Sequence, residues 1–388
     1  MNRITIILLA LLFCLKLSAQ QKNTPVFVSG KEGYKSFRIP AIVNLPNGTL
    51  LAFCEGRVND SGDFGDIDIV MKKSTDNGKT WSDLQVVAEF GHLQLCNPAP
   101  VVDLTDPRFP KGRIFLFYNT GTQSEGDVIN GKGIKLCMYK TSTDGGQTWS
   151  DQVDITSQVH RPKQPLISPA YNFDEDWRYY ANTPGHGMQF QSGKYKGRIF
   201  IAANHTAGDR KAGAGHYVAH GYYSDDHGKT FKLGNSLNLP GSNESMAAEL
   251  SDSRLMMNSR NQNGDKRERI VSISSDGGAS WDTTYFDPNL IDPVCQGSIL
   301  NIGTKKGKNI LAFCNAADTK RRDNLMLRVS FDEGKTWQVN IPVYKGEGKA
   351  NVSYAAYSDL VKLSSKKIGV LFEKDDYSEI VFSAIQWK

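Results

Sequence analysis

One octapeptide recurs five times along this chain, and no other sequence feature restricts its fold as strongly. The copies read Ser-x-Asp-x-Gly-x-Thr/Ser-aromatic and cover residues 74–81, 142–149, 224–231, 274–281 and 330–337. Ser and Asp side chains can hydrogen-bond nearby backbone N–H groups, and glycine adopts positive φ without strain. The middle of each copy is therefore predicted to be a tight turn, with its closing Trp or Phe packed against a sheet.

Each repeat follows a stretch rich in apolar and β-branched residues, so it marks a strand–turn–strand hairpin. These stretches cover residues 68–71, 134–139, 217–223, 270–273 and 325–329. Further predicted strands lie between the repeats, at 50–53, 113–118, 198–202, 310–313 and 368–372. No long stretch has strong helical periodicity.

The repeats start 68, 82, 50 and 56 residues apart, which is typical of the blades of a propeller. We therefore expect an all-β fold, a six-bladed β-propeller, in a single domain of residues 20–388. Both chain termini are expected to close the last blade and so remove the free sheet edges. The Pro-, Gly- and aromatic-rich segment 162–191 is predicted to be a long surface loop.

Residues 1–19 are predicted to be a signal peptide. A basic residue, Arg3, precedes an apolar stretch too short to span a bilayer, and a small residue, Ala19, ends the segment. We expect a periplasmic or secreted protein without a membrane anchor. A lipid anchor on Cys14 is disfavoured because the bulky Phe13 precedes it.

Charge and cysteine content exclude several function classes. Removing residues 1–19, which contain Arg3 and Lys16, lowers the formal net charge from +5 to +3. That charge and the absence of a basic run argue against nucleic-acid binding. Five cysteines remain, an odd number without paired spacing, so neither a disulfide framework nor a zinc site is expected.

A short motif, Phe-Arg-Ile-Pro at residues 37–40, precedes the five repeats. This combination resembles the sialidase (neuraminidase) family over essentially the whole mature chain. The resemblance implies an exo-α-sialidase, a retaining glycoside hydrolase that removes terminal α-linked sialic acid. Its implied substrates are sialylated glycoproteins, gangliosides and oligosaccharides. It implies a monomer that needs no metal or cofactor.

The family binds the carboxylate of sialic acid with three arginines, because planar guanidinium groups make bidentate bonds to a carboxylate. Arg38 and Arg260 match two of them. Arg322 matches the third, with the adjacent Arg321 as the alternative. Glu373 matches the residue that supports the first arginine.

The resemblance also implies a tyrosine nucleophile, an exception among glycosidases. Sialic acid carries a carboxylate on the reacting carbon, which would repel an anionic nucleophile. Tyr357 matches the nucleophile and Glu244 matches the base that removes its proton. Glu249 is the alternative base, but it falls in a strand pattern, and the spacing of sixteen positions from Glu244 to Arg260 fits the family better.

The general acid/base of the family is an aspartate that follows a further substrate-binding arginine. Arg57 matches that arginine, and Asp63, six residues later, is the predicted acid/base. Asp60 and Asp66 are the alternatives in the same segment. An acid that protonates a leaving oxygen needs a raised pKa.

Two further residues are predicted to contact the glycan. Asn97 occupies a position where many bacterial relatives have aspartate, and it is expected to hydrogen-bond a substrate hydroxyl or N-acetyl group. Gln189 follows a Pro-Gly-His-Gly segment that resembles a family loop facing the site, although a purely structural turn is an equal alternative.

Two other functions fit the same fold. A trans-sialidase would transfer the sialic acid instead of hydrolysing it. A non-catalytic glycan-binding propeller should lack one of the catalytic residues, but Asp63, Glu244 and Tyr357 are all present.

Overall fold

The computed structural model describes residues 23–208 and 217–388. The predicted signal peptide lies outside these residues. The first nine strands are β1 Thr24–Val28, β2 Ser36–Asn44, β3 Leu50–Arg57, β4 Ile67–Ser74, β5 Gln85–Ala88, β6 Gln94–Asp103, β7 Arg113–Gly121, β8 Leu136–Ser142 and β9 Val153–Asp154. The next nine are β10 Tyr180–Asn182, β11 Met188–Gln189, β12 Ile199–Thr206, β13 Tyr217–Ser224, β14 Lys232–Leu233, β15 Ser242–Glu249, β16 Leu255–Asn261, β17 Glu268–Ser274 and β18 Thr283–Ile291.

The remaining strands are β19 Gly297–Lys305, β20 Lys308–Ala316, β21 Leu325–Ser330, β22 Val339–Tyr344, β23 Ala355–Lys362, β24 Lys367–Lys374 and β25 Glu379–Gln386. Helices are short: α1 spans Glu125–Ile129, α2 spans Thr156–Val159, and a 3₁₀ turn spans Ser251–Ser253. Within the described ranges, no helix has the length and apolar character required to cross a bilayer.

Hydrogen bonding divides the strands of the described residues into five sheets, not six. Four sheets are separate blades: β10-β12-β13-β14 with β11, β15-β16-β17-β18, β19-β20-β21-β22, and β23-β24-β25-β1. The strands β2 to β9 instead form one eight-stranded sheet, because β4 and β6 pair in parallel at Ile67 and Gln94. The all-β propeller is confirmed, but the prediction of six separate blades is wrong. The repeats mark turns within hairpins and say nothing about pairing between neighbouring hairpins.

The repeated octapeptides form the predicted turns between strand pairs. In the first copy, Asp76 accepts hydrogen bonds from the backbone N–H and hydroxyl of Thr80 at 3.0 and 2.7 Å. Ser74 accepts the N–H of Gly78 at 2.9 Å, and that glycine has a φ of +81°. Trp81 closes the copy with its ring 5.6 Å from that of Phe382. In this copy the Ser and Asp side chains therefore close the turn, and the aromatic ring packs on a neighbouring sheet.

Both ends of the chain close the ring, as predicted. The first strand, β1, pairs antiparallel with the last, β25, through Thr24 opposite Phe382 and Val28 opposite Glu379. The segment 162–191 is only partly the predicted loop, since β10 and β11 lie within it and pair with β12.

Apolar side chains fill the spaces between neighbouring sheets. One buried cluster joins β20 and β21 to β24, and another joins β12 to β15 and β16. Within the eight-stranded sheet, Phe53 of β3 packs with Leu116 of β7, so its two halves face each other. The core is therefore a ring of clusters around the inner strands β2, β6, β15, β19 and β23. Neighbouring inner strands contact one another, and β11 and β12 lie between β6 and β15.

Candidate active site

A polar cleft opens at one end of the axis, where four inner strands break their pairing register. The irregularities fall after Arg38 in β2 and around Asn97 in β6, Glu244 in β15 and Tyr357 in β23. Such bulges re-aim side chains and are frequent next to active sites. Of the predicted residues, the cleft is lined by Arg38, Arg57, Asp63, Asn97, Glu244, Arg260, Arg322 and Tyr357.

Glu373 lies behind the cleft and connects two of these strands. Its carboxylate accepts the Nε of Arg38 at 2.7 Å and the backbone N–H of Ile39 at 2.9 Å. Its second oxygen accepts the backbone N–H of Tyr357 at 3.1 Å. Burial acts to lower the pKa of Arg38, but Glu373, Tyr377 and Tyr357 together outweigh it, and the net effect raises the pKa of the guanidinium. Glu373 therefore fixes one arginine and the backbone of the tyrosine together.

Glu244 forms the centre of a second group. It accepts a hydrogen bond from the hydroxyl of Tyr357 and another from Nη1 of Arg260 at 2.8 Å. Arg260 also contacts the Tyr357 oxygen at 3.2 Å. Burial, followed by the adjacent carboxylate, raises the pKa of Tyr357 well above its usual value. The tyrosine is therefore protonated at rest and can lose its proton directly to Glu244.

The structure distinguishes the two candidate third arginines. Arg322 lines the cleft, lies over the Tyr357 ring at 5.6 Å and donates to the hydroxyl of Tyr377 at 3.1 Å. Arg321 turns away, and its Nη1 donates to the carbonyl of Gly348 at 2.5 Å. No carboxylate of the described residues forms an ion pair with Arg322, in contrast to the other two arginines. Its charge is therefore available to an anionic ligand.

Among the three candidate aspartates, only Asp63 lines the cleft. Its Oδ1 lies 2.8 Å from Nη1 of Arg57, and its side chain is 83% exposed. Asp60 accepts the backbone N–H of Gly62 at 2.6 Å within the same loop. Asp66 pairs with His92 at 2.8 Å. Of the three aspartates, Asp63 therefore lies beside the other predicted residues of the cleft.

Asn97 lines the cleft in a left-handed conformation, with a φ of +55°. Its backbone N–H donates to the buried carboxylate of Glu55 at 2.9 Å. Sequence reasoning gave Glu55 no role. The alternation of side chains along a strand offered a signal, because Glu55 and Arg57 stand two residues apart on one face of β3.

Three further residues of the site had no sequence signal. Tyr377 stacks on the guanidinium of Arg38 at 3.8 Å and accepts from Arg322, so it joins two of the arginines. Glu125 of α1 accepts a hydrogen bond from the hydroxyl of Tyr217, and both line the cleft. These residues come from a turn, a short helix and a strand end that are distant in sequence.

Gln189 and Glu249 lie away from the cleft. Gln189 is buried, and its amide contacts Asp103 at 2.6 Å and the backbone N–H of Leu104 at 2.8 Å. Glu249 accepts the N–H of Gln191 at 2.8 Å. Both residues border a different groove, so the structure does not bring the predicted glycan contact at Gln189 to the other site residues.

Within the described residues, one group has the composition of a metal site: Asp103, Asp106 and His227. Nδ1 of His227 already contacts Asp103 at 2.8 Å. Arg108 and Arg113 both pair with Asp106, at 2.7 and 3.4 Å. Two guanidinium charges beside the carboxylate disfavour a cation, so the group fits a structural ion-pair cluster better than a metal centre.

Comparison with known proteins identifies the family. The family model for a BNR repeat-like domain matches residues 48–367. A sialidase of Micromonospora viridifaciens is 32% identical over 363 residues, which cover 89% of this chain and 51% of that protein. A sialidase of Paraclostridium sordellii is 30% identical over 91% of this chain and 86% of its own length.

The solved structure of the Hadza microbial sialidase Hz136 has the same fold, with a TM-score of 0.77. It is 24% identical and is matched over 94% of this chain and 68% of its own. This chain spans about half the length of the Micromonospora protein. The repeats, the cleft and these similarities agree, and the chain belongs to the sialidase family with a BNR repeat-like domain.

Proposed function

We propose that this protein is an exo-α-sialidase that hydrolyses terminal α-linked sialic acid by a retaining mechanism. One observation carries the proposal. A tyrosine hydroxyl hydrogen-bonded to a carboxylate, Tyr357 with Glu244, lies in the same cleft as Arg38, Arg260 and Arg322. Three guanidinium groups can hold the negative charge of the substrate. A neutral phenol paired with a base is a suitable nucleophile for such a substrate.

The carboxylate of the sialic acid binds to the three arginines. Arg38 and Arg260 are held by Glu373 and Glu244, so their positions are set before the substrate arrives. Arg322 has no such carboxylate partner among the described residues and provides the charge that the substrate neutralises. Charge-assisted hydrogen bonds of this kind contribute about 1.5–3 kcal/mol each.

The first chemical step forms a bond between the Tyr357 oxygen and the anomeric carbon. Glu244 takes the phenolic proton as this bond forms. The bond from the anomeric carbon to the aglycone oxygen breaks with its electron pair, and protonated Asp63 gives that oxygen a proton. The product is a sialyl–tyrosine intermediate and a free alcohol.

The second step reverses the proton transfers. Ionised Asp63 removes a proton from water, whose oxygen attacks the anomeric carbon. The electron pair of the sialyl–tyrosine bond returns to the Tyr357 oxygen, which regains its proton from Glu244. Two inversions at one carbon retain the anomeric configuration.

Arg57 and Asn97 line the same cleft and are proposed to contact the sugar ring or its substituents. The proposed substrates are sialylated glycoproteins, gangliosides and oligosaccharides. We further propose that the protein acts as a monomer, without a metal or cofactor, after export to the periplasm or the medium. N-terminal sequencing of exported protein tests the export, and a start at Gln20 is the expected result.

Release of methylumbelliferone from its α-sialoside, assayed between about pH 4 and 8, tests the activity. We expect release by folded protein, and its absence across this range would contradict the proposal. Product analysis with sialyllactose separates the alternatives. Free sialic acid indicates hydrolysis, a transferred or anhydro product indicates a trans-sialidase, and binding without turnover indicates a non-catalytic lectin.

A further inference from the structure

Glu55 is a buried carboxylate at the edge of the cleft whose two oxygens are both occupied. Oε2 accepts Nε and Nη2 of Arg57 at 3.0 and 2.6 Å. Oε1 accepts the backbone N–H of Asn97 at 2.9 Å. The side chain of Glu55 is only 2% exposed. Because Glu55 is this deeply buried and already holds three N–H groups, we expect any influence on the reaction to pass through its neighbours.

The neighbour that Glu55 orients, Arg57, in turn holds the loop that carries Asp63. Nη1 of Arg57 donates to the carbonyl of Ser61 at 2.5 Å and contacts Oδ1 of Asp63 at 2.8 Å. The Asp63 side chain is otherwise 83% exposed. Its carbonyl accepts from Gln94, but that bond fixes the backbone and leaves the carboxylate free to rotate. Arg57 is therefore the side-chain anchor of this carboxylate.

The Glu55 carboxylate also connects the two halves of the eight-stranded sheet. Glu55 and Arg57 belong to β3, whereas Asn97 belongs to the bulge in β6. The left-handed φ of Asn97 is a conformation that needs support from its surroundings. Glu55 thus fixes Arg57, which anchors Asp63, on one strand and Asn97 on another.

We propose that Glu55 is a positioning residue for the general acid, acting through Arg57 on Asp63. The inference rests on the proposed function, because it takes Asp63 as the group that protonates the aglycone oxygen. A misplacement of about 1 Å in such a group is enough to cost a large factor in rate. In kcat/KM, which reports the first chemical step, the expected defect is therefore largest for a leaving group that needs protonation.

Glu55→Gln is the informative change. Both carboxylate oxygens accept N–H groups, so an amide places its NH₂ against a donor whichever way it turns. The variant keeps the size of the side chain and removes the charge that holds Arg57. Glu55→Asp keeps the charge but shortens the reach, and it serves as the second variant if Glu55→Gln fails to fold.

The test compares two leaving groups. Methylumbelliferone is an acidic phenol that departs with little help, whereas the sugar hydroxyl of sialyllactose needs protonation. We expect Glu55→Gln to lower kcat/KM for sialyllactose by about 10²-fold and for the aryl sialoside by less than about tenfold. Asp63→Asn should give the same imbalance. The double variant Glu55→Gln/Asp63→Asn should show the same ratio of losses on the two substrates as Asp63→Asn alone, because both changes impair the same proton transfer.

Glu249→Gln is the matched control. Glu249 is also a buried carboxylate that accepts backbone N–H groups, but it lies outside the cleft. We expect it to lower stability without changing the ratio between the two substrates. Equal losses on both substrates, or no loss, for folded Glu55→Gln would overturn this assignment alone. A wild-type protein inactive on both substrates would instead overturn the proposed function.

Discussion

Glu244 accepts a hydrogen bond from the hydroxyl of Tyr357, although the two residues lie 113 positions apart in the chain. They come from different sheets and meet because the register of β15 and of β23 is broken where each emerges into the cleft. The carboxylate also receives Arg260. The pair therefore combines a proton acceptor with a guanidinium that stabilises its charge.

Tyr357→Phe removes the hydroxyl while the ring still fills its place. We expect kcat for the aryl sialoside to fall by roughly 10³-fold or more, because the covalent intermediate cannot form. The melting temperature should stay close to that of the wild type, since the ring packing is kept. Substantial turnover by the folded variant would contradict a tyrosine nucleophile.

Arg322 and Arg321 provide a built-in comparison. Arg322→Ala removes a cleft arginine that pairs with no carboxylate of the described residues, and we expect kcat/KM to fall on the order of 10²-fold. Arg321→Ala removes an exposed arginine that contacts Gly348, and we expect activity within about twofold of wild type. Steady-state kinetics of the two variants check the assignment, and a larger loss for Arg321→Ala would reverse it.

Gly78 tests how the repeated turns hold the sheets together. A methyl group there would overlap the ring of Phe382, and its φ of +81° strains any other residue. Gly48 has a φ of +86° but open space around it, so Gly48→Ala isolates the backbone strain of about 1 kcal/mol. We expect Gly78→Ala to cost a further 1–3 kcal/mol or so from overpacking. Thermal melting of both variants measures the difference, and equal melting temperatures would show that Phe382 gives way freely.

Three buried histidines make the fold sensitive to acid. His205 and His220 contact each other through their Nδ1 atoms at 3.1 Å, and Trp177 stacks on His205 at 3.5 Å. Burial lowers the pKa of His220 to about 3, and those of His160 and His205 fall well below the usual value. If both Nδ1 atoms of His205 and His220 carried a proton, two N–H donors would face each other and repel.

The sign of the pH effect follows from these lowered values. Below the unfolded-state pKa of about 6.5, these histidines bind protons in the unfolded chain but stay neutral in the folded protein. Stability is therefore complete above that pH and falls as the pH decreases toward the folded-state pKa values, by about 1.4 kcal/mol per pH unit for each histidine. We expect His220→Gln to make the fall shallower. His92→Gln, at an exposed site, should leave this slope unchanged. Melting temperatures measured from neutral pH to about pH 4 check both expectations.

The aspartates of the repeated turns add to this loss at lower pH. Hydrogen bonds from Thr80 lower the pKa of Asp76 to about 2, and the hydroxyl of Thr148, with its backbone N–H, lowers that of Asp144 as well. A lowered carboxyl pKa stabilises the fold above about pH 4 and loses this contribution as the pH falls further.

The sequence by itself determined the hairpin units, the all-β propeller and the principal charged and catalytic candidates of the cleft. Hairpin turns depend on neighbouring residues, so Ser, Asp and Gly at fixed spacing specify them. Motif matches placed Arg38, Glu244, Arg260 and Tyr357, and all four line one cleft.

Tertiary structure decided what depends on contacts between distant segments. The pairing of Ile67 with Gln94 merged two predicted blades into one sheet. Packing turned Arg322 toward the cleft and Arg321 away from it, a choice that adjacent residues do not encode. Glu55 is an ordinary strand carboxylate in the sequence. Its two bonds to Arg57 lie within β3, but its bond to the backbone N–H of Asn97 exists only because β3 and β6 come together. Pairing between strands is non-local, and no local pattern specifies which distant donors a buried carboxylate will meet.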